Sequence, residues 1–317
     1  YMKWLINHFD HKKLTKAVCM AINNAFFNLE QSEPQLVANL VWELPKGIKK
    51  LDFSGGFTLK SSGIFVHGQP LVECCSFPSS KTESVEIGDL LLLRTEVRGG
   101  KVTDRRAMLL QAKKTSGFPV KPDNPNQHHL YANWPPFTYV RSTNDLNGKQ
   151  RHITGMDLYD ASRYLLIADR YCRFSHCHSY RHFNCYSACR AMTASPTQPI
   201  LSRYQDFSIE IVDFLLGNAG KVYSNPAPSG TINWDTVIND LIEVTASRKT
   251  TYISKASNQR SHTRGQALNI FFQSGIQPPE YGGLYSAWRD ESSTFENSNG
   301  EPPQVPDEWI HDYDEDG

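Results

Sequence analysis

The chain has 317 residues, of which 39% are hydrophobic, and its 33 Lys and Arg residues balance its 33 Asp and Glu residues. This composition is typical of a soluble globular protein with material for one large domain or two small ones. The sequence has no apolar run of the length that spans a bilayer, and its N-terminus lacks a signal-peptide pattern, so we expect a cytoplasmic protein without a membrane partner.

The zero net charge conceals an asymmetry along the chain. All 33 basic residues precede Asp290, and ten of the 33 acidic residues lie from Asp290 onward, so residues 1–289 carry a net charge of +10. A basic body suits a polyanionic partner such as DNA. The acidic end, residues 290–317, favours a disordered, solvated tail or a segment that screens the same partner.

Two helices are predicted before the first strands. Residues 11–29 place apolar side chains at a helical period. The next helix has a clear start, because Ser32 is a suitable cap, Pro34 an early proline and Gln35 a glutamine three residues after the cap. Glu33 therefore lies in the first helical turn, where the helix dipole favours an anion.

Short strands and turns follow, and they lead into a predicted β-hairpin. Residues 57–60, 64–67 and 71–74 form the short strands, and His67 at a strand end is either a structural histidine or one that faces a site. Residues 87–97 and 106–113 are rich in apolar and β-favouring side chains and are separated by a glycine pair.

Polar side chains interrupt this hairpin at its open end. Asp89 stands near the start of the first strand, and Gln111 and Lys113 end the second, two residues apart and so on one face. Mg²⁺ prefers oxygen ligands, which Asp89, Gln111 and the backbone carbonyl of Ala112 offer, and Lys113 could act on the attacking water or on a phosphate. The pattern favours phosphodiester hydrolysis, although a structural hairpin with polar ends is the alternative.

At these residues the sequence resembles the PD-(D/E)XK nuclease superfamily, in the variant whose last motif is Q-x-K, as in Mrr-like restriction enzymes. The stretch L-Y-A-N-W-P-P-F after the Q-A-K strand is also similar to prokaryotic defence-associated nucleases. The resemblance implies an α/β protein with a restriction-endonuclease-like α-β-β-β-α-β core. It also implies that a helix acid, here Glu33, completes a metal site with Asp89, and that Asp89, Gln111, Lys113 and Glu33 are the catalytic residues.

A second acid is needed because Gln111 is neutral and one carboxylate binds a divalent ion weakly. Glu33 and Glu86 are the candidates. The odd spacing of Glu86 from Asp89 would put it on the opposite face of a regular strand, unless Glu86 precedes that strand and turns inward.

A Cys- and His-rich segment lies near the middle of the chain. Its cysteines are Cys172, Cys177, Cys185 and Cys189, and three histidines lie among them. These residues could hold a structural Zn²⁺, but the spacing is not that of paired zinc knuckles, so reduced thiols are the alternative.

The sequence thus predicts a nuclease core over residues 2–167, a Cys/His-rich and mostly helical part over 168–289, and the acidic tail over 290–317. The expected function is a Mg²⁺- or Mn²⁺-dependent endonuclease that acts on DNA as the effector of a prokaryotic anti-phage defence system, with a homodimer or other defence subunits as partners. The alternatives are a non-catalytic nucleic-acid-binding subunit and a protein interaction module.

Overall fold

A computed structural model describes residues 8–48, 58–79, 83–98, 101–117, 119–142, 144–155, 158–169, 190–246, 249–250, 252, 255, 265–266 and 268–274. The helices are α1 (His8–Ala25), α2 (Glu33–Ile48), α3 (Pro125–Asn133), α4 (Leu158–Ala161), α5 (Phe207–Leu215) and α6 (Trp234–Ala246), and a 3-10 turn spans Asn144–Leu146. The strands are β1 (Thr58–Phe65), β2 (Leu71–Glu73), β3 (Val85–Glu86), β4 (Leu90–Arg98), β5 (Lys101–Thr115), β6 (Phe137–Arg141), β7 (Gln150–Arg151), β8 (Ser162–Ala168), β9 (Ala191–Ser195), β10 (Ser202–Asp206), β11 (Lys221–Val222), β12 (Lys249–Thr250), β13 (Gly265–Gln266) and β14 (Leu268–Ser274).

The predicted α/β class is confirmed: helices cover a central, mostly antiparallel sheet. Within the described residues this sheet runs in the order β10-β9-β8-β5-β4-β1-β14, with β11 beside β5. The pairing of β5 with β8 is parallel, and the other pairings are antiparallel. The chain passes from β5 to β8 through α3 and α4, a connection of the length that parallel neighbours need.

The strands β4 and β5 pair at the centre of the sheet, as the hairpin pattern predicts. Their antiparallel register runs from Leu90 opposite Leu110 to Arg98 opposite Lys101. The apolar runs Leu90–Leu93 and Ala107–Leu110 are buried, because helices or loops cover both faces of the sheet at this end. The predicted turn at residues 99–100 lies outside the described residues.

One face of the sheet packs on α1, α2 and α5. Their apolar side chains form a single buried cluster with side chains of β4, β5 and β8, among them Leu90, Leu110 and Leu165. Helix α2 begins at Glu33, as the capping pattern predicts. It continues past Pro45 to Ile48, which is buried in the same cluster.

The opposite face is covered by α3 and by aromatic side chains in this helix and just after it. Tyr131 and Trp134 stack with ring centroids 5.4 Å apart, and Trp134 also meets Phe137 at 6.3 Å. All three are buried. These aromatics therefore belong to the core.

A second, small sheet lies beside the main one, in the order β3-β2-β6-β7 within the described residues. Its strand β3 is only two residues long and pairs with β2, so that Leu71 lies opposite Glu86. Glu86 thus lies in the small sheet, whereas Asp89 directly precedes β4 of the main sheet, so the alternation of faces along one strand does not apply to this pair.

The main sheet extends beyond the predicted end of the core at residue 167. Strands β9 and β10 continue it on one side, and β14 pairs with β1 on the other. The described part of residues 168–289 is thus a mixture of strands and helices instead of mostly helical. Its predicted zinc candidates, Cys172, Cys177, Cys185 and Cys189, and the acidic tail lie outside the described residues. In the described part of the chain, no helix has the length and apolarity needed to cross a membrane.

Gly88 is predicted to be essential for the packing around Asp89. A Cβ atom at this position would lie 2.7 Å from the Tyr131 hydroxyl and 2.9 Å from Leu109 Cγ. We expect Gly88→Ala to destabilise the protein by about 1–3 kcal/mol, because overpacking displaces buried neighbours. Urea denaturation would measure the change. Gly117→Ala is the control, because no atom of the described residues beyond its two chain neighbours lies within 4 Å of the position that a Cβ atom would take there. Equal stability of the two variants would contradict the prediction.

Candidate active site

The candidate site lies where β5 continues beyond the start of β4. The last backbone hydrogen bond of this pair runs from Asp89 N to Leu110 O, at 2.9 Å. Beyond it β5 extends to Thr115 and keeps β8 on its other side. The edge of β5 that faced β4 is therefore open from Ala112 onward, and its backbone N–H groups need other partners.

Two acidic side chains bind these N–H groups. Ala112 N donates to Asp89 Oδ2 at 2.8 Å, and Lys114 N donates to Glu33 Oε2 at 2.7 Å. Glu33 comes from the first turn of α2 and Asp89 from the residue before β4, so an acid of the helix and an acid of the hairpin bind the same strand edge. The carbonyl of Ala112 faces this edge too, because the N–H and C=O of one residue in a strand point to the same side.

Asp89 is the most deeply buried acid of the site, with 2% of its surface exposed. Its carboxylate also accepts a hydrogen bond from Gln111 Nε2, and its Oδ1 lies 2.7 Å from His67 Nδ1. Burial raises the pKa of Asp89, and the hydrogen bonds from His67 and the Ala112 amide oppose this effect without cancelling it.

Glu86 joins the site from the small sheet. Its Oε2 lies 3.0 Å from His67 Nδ1, so one imidazole nitrogen contacts two carboxylates. Burial alone would raise the pKa of Glu86, but the hydrogen bond and charge of His67, together with the Gly68 N–H and the charge of Lys113, lower this pKa below its usual value. Burial in turn works to lower the pKa of His67, and the two acids overcome it and raise that pKa to about 10. The ligand atoms of His67, Glu86 and Asp89 all lie within 4.8 Å of one another.

Gln111 lies beside Asp89, but its amide oxygen is engaged elsewhere. Gln111 Oε1 accepts a hydrogen bond of 2.6 Å from Gln127 Nε2, while its amide nitrogen donates to Asp89. In this arrangement Gln111 positions the Asp89 carboxylate and does not present an oxygen to a cation. A metal-ligating role for Gln111 would require the amide to turn over.

Lys113 lies on the same face of β5 as Gln111, as predicted. Its Nζ is 3.2 Å from Asp123 Oδ1, in the loop before α3. Its charge also acts to lower the pKa of both Glu33 and Glu86, so the ammonium group is within electrostatic reach of both acids. For Glu33, burial is the larger effect, and the pKa remains raised.

The sequence did not predict that Gln127 and Asp123 belong to the site. It left open whether His67 faces the site or is structural. Gln127 and Asp123 flank the start of α3, whose cap residue Asn124 accepts from Gln127 N at 3.0 Å. The cap pattern of α3 predicts the helix but not the sheet face on which it docks. His67 lies two residues after the end of β1, and its role depends on β1 pairing with β4, where Phe65 lies opposite Leu90.

Comparison with known protein families, curated proteins and solved structures finds no match for this chain. The chemistry of the cluster is therefore the basis on which a function can be assigned. Three acids, one imidazole and one ammonium group converge at the open edge of a strand. This combination can bind a cation through the acids and an anionic oxygen through the ammonium group.

Glu33 is predicted to lower the stability of the metal-free protein at neutral pH. Burial raises the pKa of Glu33 above the usual 4.5, so the folded protein disfavours the charged carboxylate. The protein is therefore not destabilised by Glu33 below pH 4.5, and it loses stability as the pH rises through the pKa of Glu33 in the folded state. We expect Glu33→Gln, whose amide oxygen can still accept from Lys114 N, to be more stable than the parent at pH 7 by about 0.5–2 kcal/mol. The advantage should vanish near pH 4.

Denaturation in EDTA at several pH values would measure this difference. Glu43→Gln is the matched control, since Glu43 lies on the same helix and pairs with Lys46 at the surface, at 3.0 Å. The prediction would be wrong if Glu33→Gln left the free energy of unfolding unchanged, or if Glu43→Gln raised it by the same amount. Either result would show that the charge of Glu33 does not destabilise the folded protein.

Proposed function

We propose that this protein is a divalent-metal-dependent nuclease that hydrolyses phosphodiester bonds in DNA. The observation that carries the proposal is the arrangement at the β5 edge. The backbone N–H groups of Ala112 and Lys114 bind the carboxylates of Asp89 and Glu33. Lys113 is the residue between these two N–H groups. An acid pair beside a lysine is a set of groups suited to phosphoryl chemistry.

The order of elements supports the same proposal. In the chain, α2 is followed by β1, β4 and β5 of the main sheet, then by α3, and then by β8, which is parallel to β5. This order agrees with the α-β-β-β-α-β core that the sequence resemblance implies. The excess of basic residues in positions 1–289 suits a polyanionic substrate. The proposed role in anti-phage defence rests on the resemblance alone.

The residues of the site fit a divalent cation. Asp89 and Glu86, whose ligand atoms lie within 4.8 Å of each other, would hold it with hard carboxylate oxygens. The Ala112 carbonyl faces the same edge, and Glu33 would approach the ion from α2. When bound, such an ion would polarise the phosphate and make a nearby water easier to deprotonate. The burial that raises the pKa of Asp89 and Glu33 also indicates a site in which unbalanced negative charge is costly, which a cation would relieve.

The chain's own groups have distinct tasks in this proposal. Gln111, fixed by Gln127, would hold the Asp89 carboxylate in one orientation. Lys113 would position the attacking water and stabilise the charge that grows on the phosphate oxygens, provided that it leaves Asp123 for the substrate. Asp123 is largely exposed, so this ion pair is weak enough to exchange.

A non-catalytic nucleic-acid-binding protein is the second candidate. The observations that favour it are the engaged oxygen of Gln111 and the contact of His67 with both Asp89 and Glu86. In that case His67 would neutralise the acids permanently, and no cation would be required.

Cleavage of supercoiled plasmid with Mg²⁺, Mn²⁺ or EDTA would test the proposal. We expect metal-dependent nicking or linearisation, reduced by roughly 10²-fold or more in Lys113→Ala and Asp89→Asn, because each removes a group that acts directly on the reaction. Lys149→Ala, which removes an exposed lysine, is the matched control and should cleave normally.

Two results would contradict the nuclease proposal. Cleavage that persists in EDTA or in Lys113→Ala would indicate a contaminating nuclease. Absence of cleavage with every metal, together with a gel shift of the plasmid, would support the binding protein instead. Thermal melts of each variant would show that a loss of activity does not reflect unfolding.

A further inference from the structure

Both the backbone and the side chain of His67 contact Asp89. Val66 N and His67 N both donate to the carbonyl of Asp89, at 2.9 and 3.3 Å. This pair of bonds continues the β1–β4 ladder past Phe65, which lies opposite Leu90. The position of His67 relative to Asp89 is thus set by the central sheet and not by a surface loop.

Neighbouring rings restrict the imidazole. The His67 ring centroid lies 5.9 Å from that of Phe65 and 6.1 Å from that of Tyr252, which meets it edge-on. About a quarter of the side chain, 25%, remains exposed. The ring is therefore held with Nδ1 directed at Glu86 and Asp89.

The two distances from His67 Nδ1 match two edges of an octahedral coordination sphere that share this nitrogen. His67 Nδ1 lies 3.0 Å from Glu86 Oε2 and 2.7 Å from Asp89 Oδ1. Two adjacent ligands at right angles, each about 2.1 Å from an octahedral metal ion, lie about 3.0 Å apart. A cation that replaces the Nδ1 proton would therefore find both carboxylate oxygens at distances from Nδ1 that are close to those between adjacent ligands.

We propose that His67 is a nitrogen ligand of the metal, and that the site consequently selects a first-row transition-metal dication, such as Mn²⁺, over Mg²⁺. This inference rests on the proposed function, because it concerns the cation of that same site. Imidazole nitrogen is a softer donor than carboxylate or water oxygen. Mg²⁺ is a hard ion that favours all-oxygen coordination, so the imidazole adds affinity for a transition metal and little for Mg²⁺.

Metal binding to the full chain, measured without substrate, tests this inference. Mn²⁺ titration followed by electron paramagnetic resonance gives the Mn²⁺ affinity, and competition with Mg²⁺ gives the relative affinity. Electron spin echo modulation of bound Mn²⁺ reports directly whether a nitrogen nucleus is coordinated. The variants are His67→Ala and His67→Asn, with His129→Ala as the control for an imidazole elsewhere on the protein.

We expect the parent protein to bind Mn²⁺ more tightly than Mg²⁺ and to show nitrogen modulation. In both His67 variants the modulation should vanish. The Mn²⁺ affinity should fall by about tenfold or more, because even the loss of a residue that only hydrogen-bonds to a metal ligand has an effect of that size. The Mg²⁺ affinity should change much less, and His129→Ala should behave as the parent.

The opposite outcomes would overturn the inference. If His67 serves only as a positively charged partner of the two acids, both metals would bind more tightly to His67→Ala, and no nitrogen modulation would appear in the parent protein. Plasmid cleavage separates the two proposals. If the protein cleaves plasmid but binds Mg²⁺ and Mn²⁺ equally well, the nuclease proposal stands and the ligand role of His67 is refuted. If bound Mn²⁺ is coordinated by nitrogen but plasmid is not cleaved, the ligand role of His67 stands and the nuclease proposal is refuted.

Discussion

The candidate site depends on a difference in strand length: β5 extends beyond the point at which β4 begins. Each partly buried backbone N–H on the exposed edge would cost about 1–3 kcal/mol if it found no acceptor. Asp89 and Glu33 provide the acceptors at Ala112 and Lys114. The regular backbone of β5 therefore anchors two carboxylates at N–H groups two residues apart, which fixes them more firmly than a loop would.

The acids brought together in this way repel one another and lose hydration. Burial raises the pKa of both Asp89 and Glu33, while His67 and Lys113 offset part of the cost. A neutral acceptor would bind these two N–H groups without the repulsion, so the carboxylates lower the stability of the folded protein compared with such an acceptor. Concentrations of this kind are typical of functional sites, where charge is kept for a ligand at the expense of stability.

The two faces of β5 contribute differently. Towards α1, α2 and α5 its side chains, such as Leu110 and Ala112, form the apolar core. Towards α3 it presents Gln111 and Lys113, whose partners Gln127 and Asp123 come from α3 and the loop before it. The core face therefore supports the strand rigidly, while the α3 face sets the orientation of the polar groups.

The sequence by itself determined the local elements of this arrangement. The apolar runs around residues 90–93 and 107–110 predicted the paired strands, and the cap at Ser32 predicted that Glu33 begins a helix. These signals lie within short windows, because period and capping depend on neighbouring residues. The same windows placed Asp89, Gln111 and Lys113 at one end of the hairpin.

Only the tertiary structure decided which of these groups meet and in what roles. Glu86 reaches the site because a second sheet docks there, and His67 because β1 pairs with β4. Gln111 was expected to be a ligand, but its amide orientation depends on Gln127, which α3 supplies. These contacts join residues far apart in the chain, and they depend on how whole elements pack, which no local pattern encodes.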